Sequence, residues 1–314
     1  MQLSERIGRR IKLDDIHILM TVVQAGSMNK AATLLNTTQS AVSRSIAELE
    51  RSIGSRLLDR SPQGVEPTEY GRILLDGGAA VFDDLRQTLK SIEFLADPTA
   101  GEVRIGCNPA LGASFVSAVI DRLSQRYPRI KIHVSTAYAE QLHRKLTERT
   151  LDFLIARKFG SIADERLDFE FLFDDACLVT AGSQSPWVRR RRIALAELVN
   201  EPWVLPTPGS GIISNAMEAF FGACGLDHPR MAVVTDSPQI RLSLLATGRF
   251  LTILTDSTLR FPTRRSELKV LPVELPMARF PNGIVTLKNR TLSPVARLFI
   301  DTAREVARLL MKKK

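Results

Sequence analysis

Apolar positions in the first hundred residues recur at alternating steps of three and four. This predicts helices over about 14–25, 28–35, 38–53 and 68–96. On the third of these, a turn of 100° per residue gathers Val42, Ile46, Leu49 and Ile53 into one narrow stripe, the expected buried face. The opposite side presents Ser40, Arg44, Ala47 and Arg51, with Gln39 and Ser43 flanking it near the helix start. Ser27 and Thr37 or Thr38 are suited to cap helix N-termini through their hydroxyls, and Gly54 suits a helix end. The following segment, Leu57-Leu58-Asp59-Arg60-Ser61-Pro62-Gln63-Gly64-Val65-Glu66-Pro67, reads as a short strand, a turn and a return into a helix capped by Thr68.

At Asp97-Pro98-Thr99-Ala100-Gly101 the helical period stops, as expected of a domain linker. Beyond it, short apolar runs at 103–107, 130–134, 153–156, 177–180, 203–205, 250–254 and 284–287 predict strands. Helical patterns lie between and after them, at about 111–126, 139–149, 212–224, 237–247 and 293–311. Such alternation predicts α/β units with a largely parallel sheet, arranged as one large domain or as two lobes sharing a cleft.

Composition narrows the function classes. The chain has 314 residues, 44% hydrophobic and 25% charged, which is ordinary globular usage and too long for one small module. No apolar run reaches the roughly 20 residues of a membrane-spanning helix. Arg9, Arg10 and Lys12 before the apolar stretch 16–23 loosely imitate a secretory leader, but Asp14, Asp15, His17, Thr21 and Gln24 break the imitation, so a cytoplasmic protein is expected. Cys107, Cys177 and Cys224 form no close pair, and His17, His133, His143 and His228 show no ligand spacing, so core thiols and no metal are expected. No nucleophile elbow, phosphate-binding loop or HExxH sequence appears, and neither catalysis nor a cofactor is expected. The net charge of +9 is uneven: residues 1–100 carry a net −1 and residues 101–314 a net +10.

A helix face mixing small residues with Gln, Ser and Arg is what the DNA major groove admits. Small side chains allow close approach, Arg bonds guanine bidentately, Gln bonds adenine and Ser reaches phosphate. The run Ala31-Ala32, Leu35, Thr38-Gln39-Ser40-Ala41-Val42-Ser43-Arg44, Ile46, Leu49-Glu50, Gly54, Leu57-Leu58, Arg60 and Thr68-Glu69-Tyr70-Gly71 resembles the N-terminal signature of LysR-type transcriptional regulators. The order of the elements behind it extends the resemblance over nearly the whole chain. Two departures stand out: Leu58 where the family often has Phe, and Gln63-Gly64 at the wing tip where many members place a basic residue.

The resemblance implies a winged helix-turn-helix over 1–70, a linker and dimerisation helix with hinge over 71–100, and an α/β effector-binding domain over 101–314. That domain is expected to look like a periplasmic solute-binding protein. Lobe I would take about 101–176 and 278–314, lobe II about 177–277, and two crossing strands would join them. It implies promoter DNA as a partner, read by Thr38, Gln39, Ser40, Ser43, Arg44, Arg51 and Arg60. Further implied partners are a small-molecule effector, a second copy of the chain in a homodimer or homotetramer, and RNA polymerase. The seam Phe82, Leu85, Leu89 and Ile92 suits pairing of two long helices. Ligands of α/β sheets sit beyond the C-terminal ends of strands. That rule selects Asn108, Pro109, Ala110, Thr136, Ala137, Tyr138 and Arg157 from one lobe. From the other it selects Thr207, Gly209, Ser210 and the helix-opening Ser237. With the basic excess, these suit a small organic anion held by an Arg fork and helix-start N–H groups. Two rival classes are a small-molecule receptor or enzyme built on the α/β region, and a constitutive DNA binder with a vestigial cleft.

Overall fold

The computed structural model describes residues 10–61, 64–158, 164–207, 220–227, 229–260, 267–275 and 279–311. The chain divides into two compact units, Met1–Thr88 and Leu89–Lys314.

In the first unit, α1 (Leu13–Ala25), α2 (Met28–Leu34) and α3 (Gln39–Ile53) follow the sequence periodicity. Gly26 and Gly54 end α1 and α3 at φ 66° and 86°, a left-handed conformation that costs an L side chain about 1 kcal/mol or more. Thr38 caps α3, its hydroxyl accepting from the Ala41 N–H at 3.2 Å. Ser27 stands at the N-cap position of α2 without a capping side-chain bond. Val42, Ile46 and Leu49 are fully buried against Leu19, Val22, Ala31 and Leu57, while Ile53 is half-buried at the margin of that core. β1 (Leu58–Ser61) and β2 (Gly64–Pro67) form an antiparallel hairpin, and α4 (Glu69–Ala96) follows.

The second unit is built on β3 (Ala100–Cys107), β4 (Arg129–Thr136), β5 (Phe153–Arg157), β6 (Leu167–Gly182), β7 (Trp203–Leu205), β8 (Met231–Val234), β9 (Leu251–Thr255), β10 (Leu268–Val270) and β11 (Arg279–Leu287). Their order is β4-β3-β5-β11-β6-β9-β7-β8, with β10 also pairing β6. The pairings β3–β4, β3–β5, β7–β8 and β7–β9 are parallel, whereas every ladder involving β6 or β11 is antiparallel. The expectation of a largely parallel sheet is thereby corrected. Parallel pairing needs a crossover helix between strands, and the long strands that pass between lobes have none. β6 explains the two-lobe form: it pairs with β11 as far as Ala176 and with β9 from Cys177 onward.

Lobe I is packed by α5 (Pro109–Leu111), a π turn (Gly112–Val116), α6 (Ser117–Arg126) and the C-terminal α10 (Pro294–Met311). Its core includes Phe115 beside Phe173 and Phe153 beside Phe299, at ring separations of 4.8 and 5.7 Å. α7 (Ala139–Thr147) covers a smaller cluster around Leu142, Leu146 and Leu154. Lobe II centres on Trp203, edge-on to Phe221, whose indole N–H donates to the Leu198 carbonyl at 2.8 Å. It also carries α8 (Pro238–Ala246) and α9 (Asp256–Arg260), the latter touching α5 and the π turn of lobe I. The helix expected over 212–224 falls mostly outside the described residues; 220–223 are helical.

Candidate functional site

In the first unit, the buried stripe of α3 fixes which side chains face outward. Thr38, Gln39, Ser40, Arg44 and Arg51 are exposed, Ser43 is half-buried, and Ala47 is half-buried rather than open. The Thr38 and Ser40 hydroxyls lie 3.1 Å apart, and Arg44 Nε donates to the Ser40 carbonyl at 3.4 Å. Arg51 pairs loosely with Glu48 at 3.9 Å, both largely exposed, a contact water competes with readily. Arg60 is exposed on β1, and Gln63 lies outside the described residues.

The hairpin is held to α3 by Glu50, a residue to which the sequence pattern assigns no role. Glu50 Oε1 accepts from the N–H groups of Leu57 at 2.8 Å and Leu58 at 3.3 Å. Thr68 ties the other side, donating from its hydroxyl to the Arg56 carbonyl at 2.8 Å and accepting from the Gly71 N–H at 3.1 Å. A Cβ at Gly71 would overlap the Leu57 carbonyl oxygen, which accounts for glycine there.

Of the proposed seam, Leu85, Leu89 and Ile92 are exposed, as is Leu95, at the spacing of one helix face. Phe82 is half-buried, its ring 5.7 Å from His17 of its own chain.

In the second unit, Asn108 serves as the cap of α5, its side-chain oxygen accepting from the Leu111 N–H at 2.9 Å, with Pro109 and Ala110 forming the helix start. Thr136 lies beside the π turn at Gly112, and Ala137 donates its N–H to the Cys107 carbonyl at 3.3 Å. Asn108 and Thr136, on neighbouring strand ends, are thus brought together. Tyr138 of lobe I hydrogen-bonds the Asp236 carboxylate of lobe II; desolvation first, and then the Asp236 charge and this bond, raise its phenol pKa, with Arg241 opposing. Asp236 also accepts from the Thr207 N–H at 3.0 Å and hydroxyl at 2.9 Å. Ser237 caps α8 by accepting from the Ile240 N–H at 3.4 Å. Gly209 and Ser210 lie outside the described residues.

Arg157 is not a surface residue. It is 7% exposed at the end of β5, with Nη2 3.8 Å from the buried carboxylate of Asp175, too long for a hydrogen bond. Asp175 has other partners: the Ser257 N–H donates to one of its oxygens at 2.9 Å and the Ser257 hydroxyl to the other at 2.6 Å. Burial nevertheless pushes its carboxyl above the usual range, the Ser257 bonds and Arg157 opposing that push. Asn282, fully buried, stands opposite Arg157 in the β5–β11 ladder. Arg241, 6% exposed on α8, has its guanidinium pKa lowered chiefly by burial, with Tyr138 and Asp236 opposing that push and the charge of Arg157 adding a smaller one.

Sequence reasoning missed Asp175, Asn282 and Arg241. For Arg241 a signal existed: a cation in the first turn after a Ser-Pro helix start opposes the helix dipole, so its placement needs another reason. For Asp175 the signal was a pair of acids, Asp174-Asp175, inside an otherwise strand-like stretch.

The thiols of Cys107 and Cys177 are buried and pushed up to about 12 and about 11, while Cys224 is exposed. Among the described residues no cluster of His, Cys, Asp and Glu is arranged to hold a metal ion, and no helix is long and apolar enough to cross a membrane.

Comparison with known proteins agrees with this geometry. Residues 13–72 match the bacterial regulatory helix-turn-helix protein of the lysR family, and residues 96–308 match the LysR substrate binding domain. The chain is 26% identical over 305 residues to the regulator GbpR of Azospirillum brasilense, covering 97% of this chain and 89% of that one. It is 27% identical to the activator CmpR of Synechocystis, covering 92% and 93%. Among solved structures, a full-length OxyR variant from Pseudomonas aeruginosa shares the fold at a TM-score of 0.67, with 19% identity and coverage of 95% and 97%. CbnR complexed with its target DNA does so at 0.62, with 17% identity and coverage of 94% and 100%. The chain belongs to the LysR family of transcriptional regulators, with a DNA-binding helix-turn-helix followed by an effector-binding domain.

Proposed function

We propose that this regulator acts in the cytoplasm by binding rather than by catalysis, reading promoter DNA with α3 under the control of a small organic anion held between its two α/β lobes. The DNA-reading part rests on one observation. Opposite its buried Val42, Ile46 and Leu49, α3 holds Ser40, Arg44 and Arg51 open on one face, with the exposed Gln39 flanking it at the helix start beside the Thr38 cap. Gln39 and Arg44 are the base-reading candidates, Thr38, Ser40 and Ser43 fit close approach to backbone and base edges, and Arg51 and Arg60 suit phosphates. Pairing of two chains through Leu85, Leu89 and Ile92 would place two reading helices on a pseudo-palindromic site.

The cleft reading rests on Arg157, a buried guanidinium at a strand end between lobes, with Tyr138, Thr207 and Ser237 gathered near Arg241. The test of DNA reading is a mobility shift on the DNA upstream of the protein's own gene. Arg44→Ala should weaken specific binding by about 1–3 kcal/mol without altering the melting temperature. Undiminished affinity in the folded variant removes Arg44 from the interface.

A further inference from the structure

Between the lobes, buried donors outnumber the acceptors offered to them among the described residues. Arg157 has Nε and Nη2, two donors along one edge of its fork, without hydrogen-bond partners among the described residues. Arg241 has Nε and Nη1 in the same condition. The two acids beside them already accept from other donors. Asp175 receives the N–H and hydroxyl of Ser257, and Asp236 receives the N–H and hydroxyl of Thr207 together with the phenol of Tyr138. Both arginines are more than nine-tenths buried; burial works most strongly against the charge of Arg241, Tyr138 and Asp236 favour it, and the charge of Arg157 adds a smaller opposition. A buried cation with unmatched donors costs free energy, and two adjacent ones cost more, because their repulsion is weakly screened. Such a placement is explained when the missing acceptors arrive with a ligand.

We propose that the effector of this regulator is a small organic dianion, its two negative charges answered by Arg157 from lobe I and Arg241 from lobe II. This deepens the anion reading of the cleft given above and rests on it. A monoanion gives acceptors to one guanidinium and leaves the donors of the other unmatched. A dianion gives acceptors to both and bridges the lobes at β5 and α8. Arg241 is then a specificity-determining residue, setting the preference for two charges over one. The second charge has two chemical sources, a second carboxylate or a doubly ionised phosphoryl group.

The experiment is a thermal-shift and calorimetric titration of the full-length chain. The probes are unbranched dicarboxylates of three to six carbons, glycerol phosphate, and monocarboxylates of matching length. The wild type should bind at least one dianion roughly 10- to 100-fold more tightly than the matching monoanion, the range expected when a charged hydrogen-bonding partner is lost. The dicarboxylates and glycerol phosphate together identify which source supplies the second charge. Arg241→Gln should erase that preference, binding dianion and monoanion alike, and without ligand it should melt no lower than the wild type, since it removes a desolvated charge whose Nε and Nη1 donors have no hydrogen-bond partner among the described residues. Arg241→Lys, which keeps the charge but not the fork, should retain part of the preference. The proposal is overturned if monoanions bind as tightly as dianions, if Arg241→Gln keeps the preference, or if no dianion binds. The anion reading itself fails separately, if neither class binds and Arg157→Gln changes nothing.

Discussion

Glu50 offers the sharpest check on how the DNA-binding unit is held together. Its carboxylate is the acceptor for the N–H groups of both Leu57 and Leu58, residues whose side chains are buried where the chain leaves α3 for the hairpin. Glu50→Ala leaves both donors unmatched. A buried N–H without a partner costs about 1–3 kcal/mol. The 2.8 Å bond counts nearly in full and the 3.3 Å bond for less, since it lies beyond the usual N–H···O range. A combined loss of roughly 2–3 kcal/mol follows, or about a 30- to 150-fold change in an opening equilibrium. Amide hydrogen exchange at Leu57 and Leu58 reads that equilibrium directly, and both should exchange faster by that factor while amides of α6 and β3 are unaffected. Glu50→Gln keeps a side-chain oxygen acceptor and should lose about half the effect, because the bonds are no longer charge-assisted. Unchanged exchange at both amides in Glu50→Ala would refute the reasoning, showing that other contacts hold the hairpin.

Further outcomes follow from the same geometry. Leu89 is 59% exposed on the apolar face of α4, so Leu89→Asp should dissociate the dimer in sedimentation without lowering the helical content; an unaltered oligomer removes this face from the interface. Thiol-specific reagent at about pH 8 should modify Cys224 alone in the native chain, because Cys107 and Cys177 are buried and their thiols are pushed up to about 12 and about 11. All three should react after denaturation, and native modification of more than one would contradict the packing of β3 or β6.

The helices of the first unit were legible because each has one buried stripe against a polar remainder, and because Gly54 and Thr68 mark ends by their local chemistry; of the two candidate caps Thr37 and Thr38, the structure selects Thr38. The resemblance to LysR regulators rested on those same positions. The second unit was legible in order but not in pairing. The run 177–180 was visible as a strand, while its continuation back to Leu167 was not, since Asp168, Glu170, Asp174 and Asp175 interrupt the apolar pattern. Two of those acids have structural work elsewhere: Glu170 forks with Arg304, and Asp175 receives Ser257. β8 was missed although Met231–Val234 is an apolar run of four; it lies on the outer edge of the sheet with three of its four residues exposed. In the cleft, Arg157 was reachable from the rule about strand ends, whereas Asn282 and Arg241 come close to it only through strand pairing and lobe packing, which sequence spacing does not reveal.

The central claim is that a DNA-reading helix and an anion-binding cleft belong to one switch. A footprinting titration on the upstream DNA with and without a dianion that stabilises the protein tests it most directly, comparing the wild type with Arg157→Gln and Arg44→Ala. The account predicts that the dianion changes the wild-type footprint or affinity, that Arg157→Gln binds DNA but no longer responds, and that Arg44→Ala binds the dianion but loses the specific footprint. A wild-type footprint indifferent to a dianion that the protein demonstrably binds would contradict it.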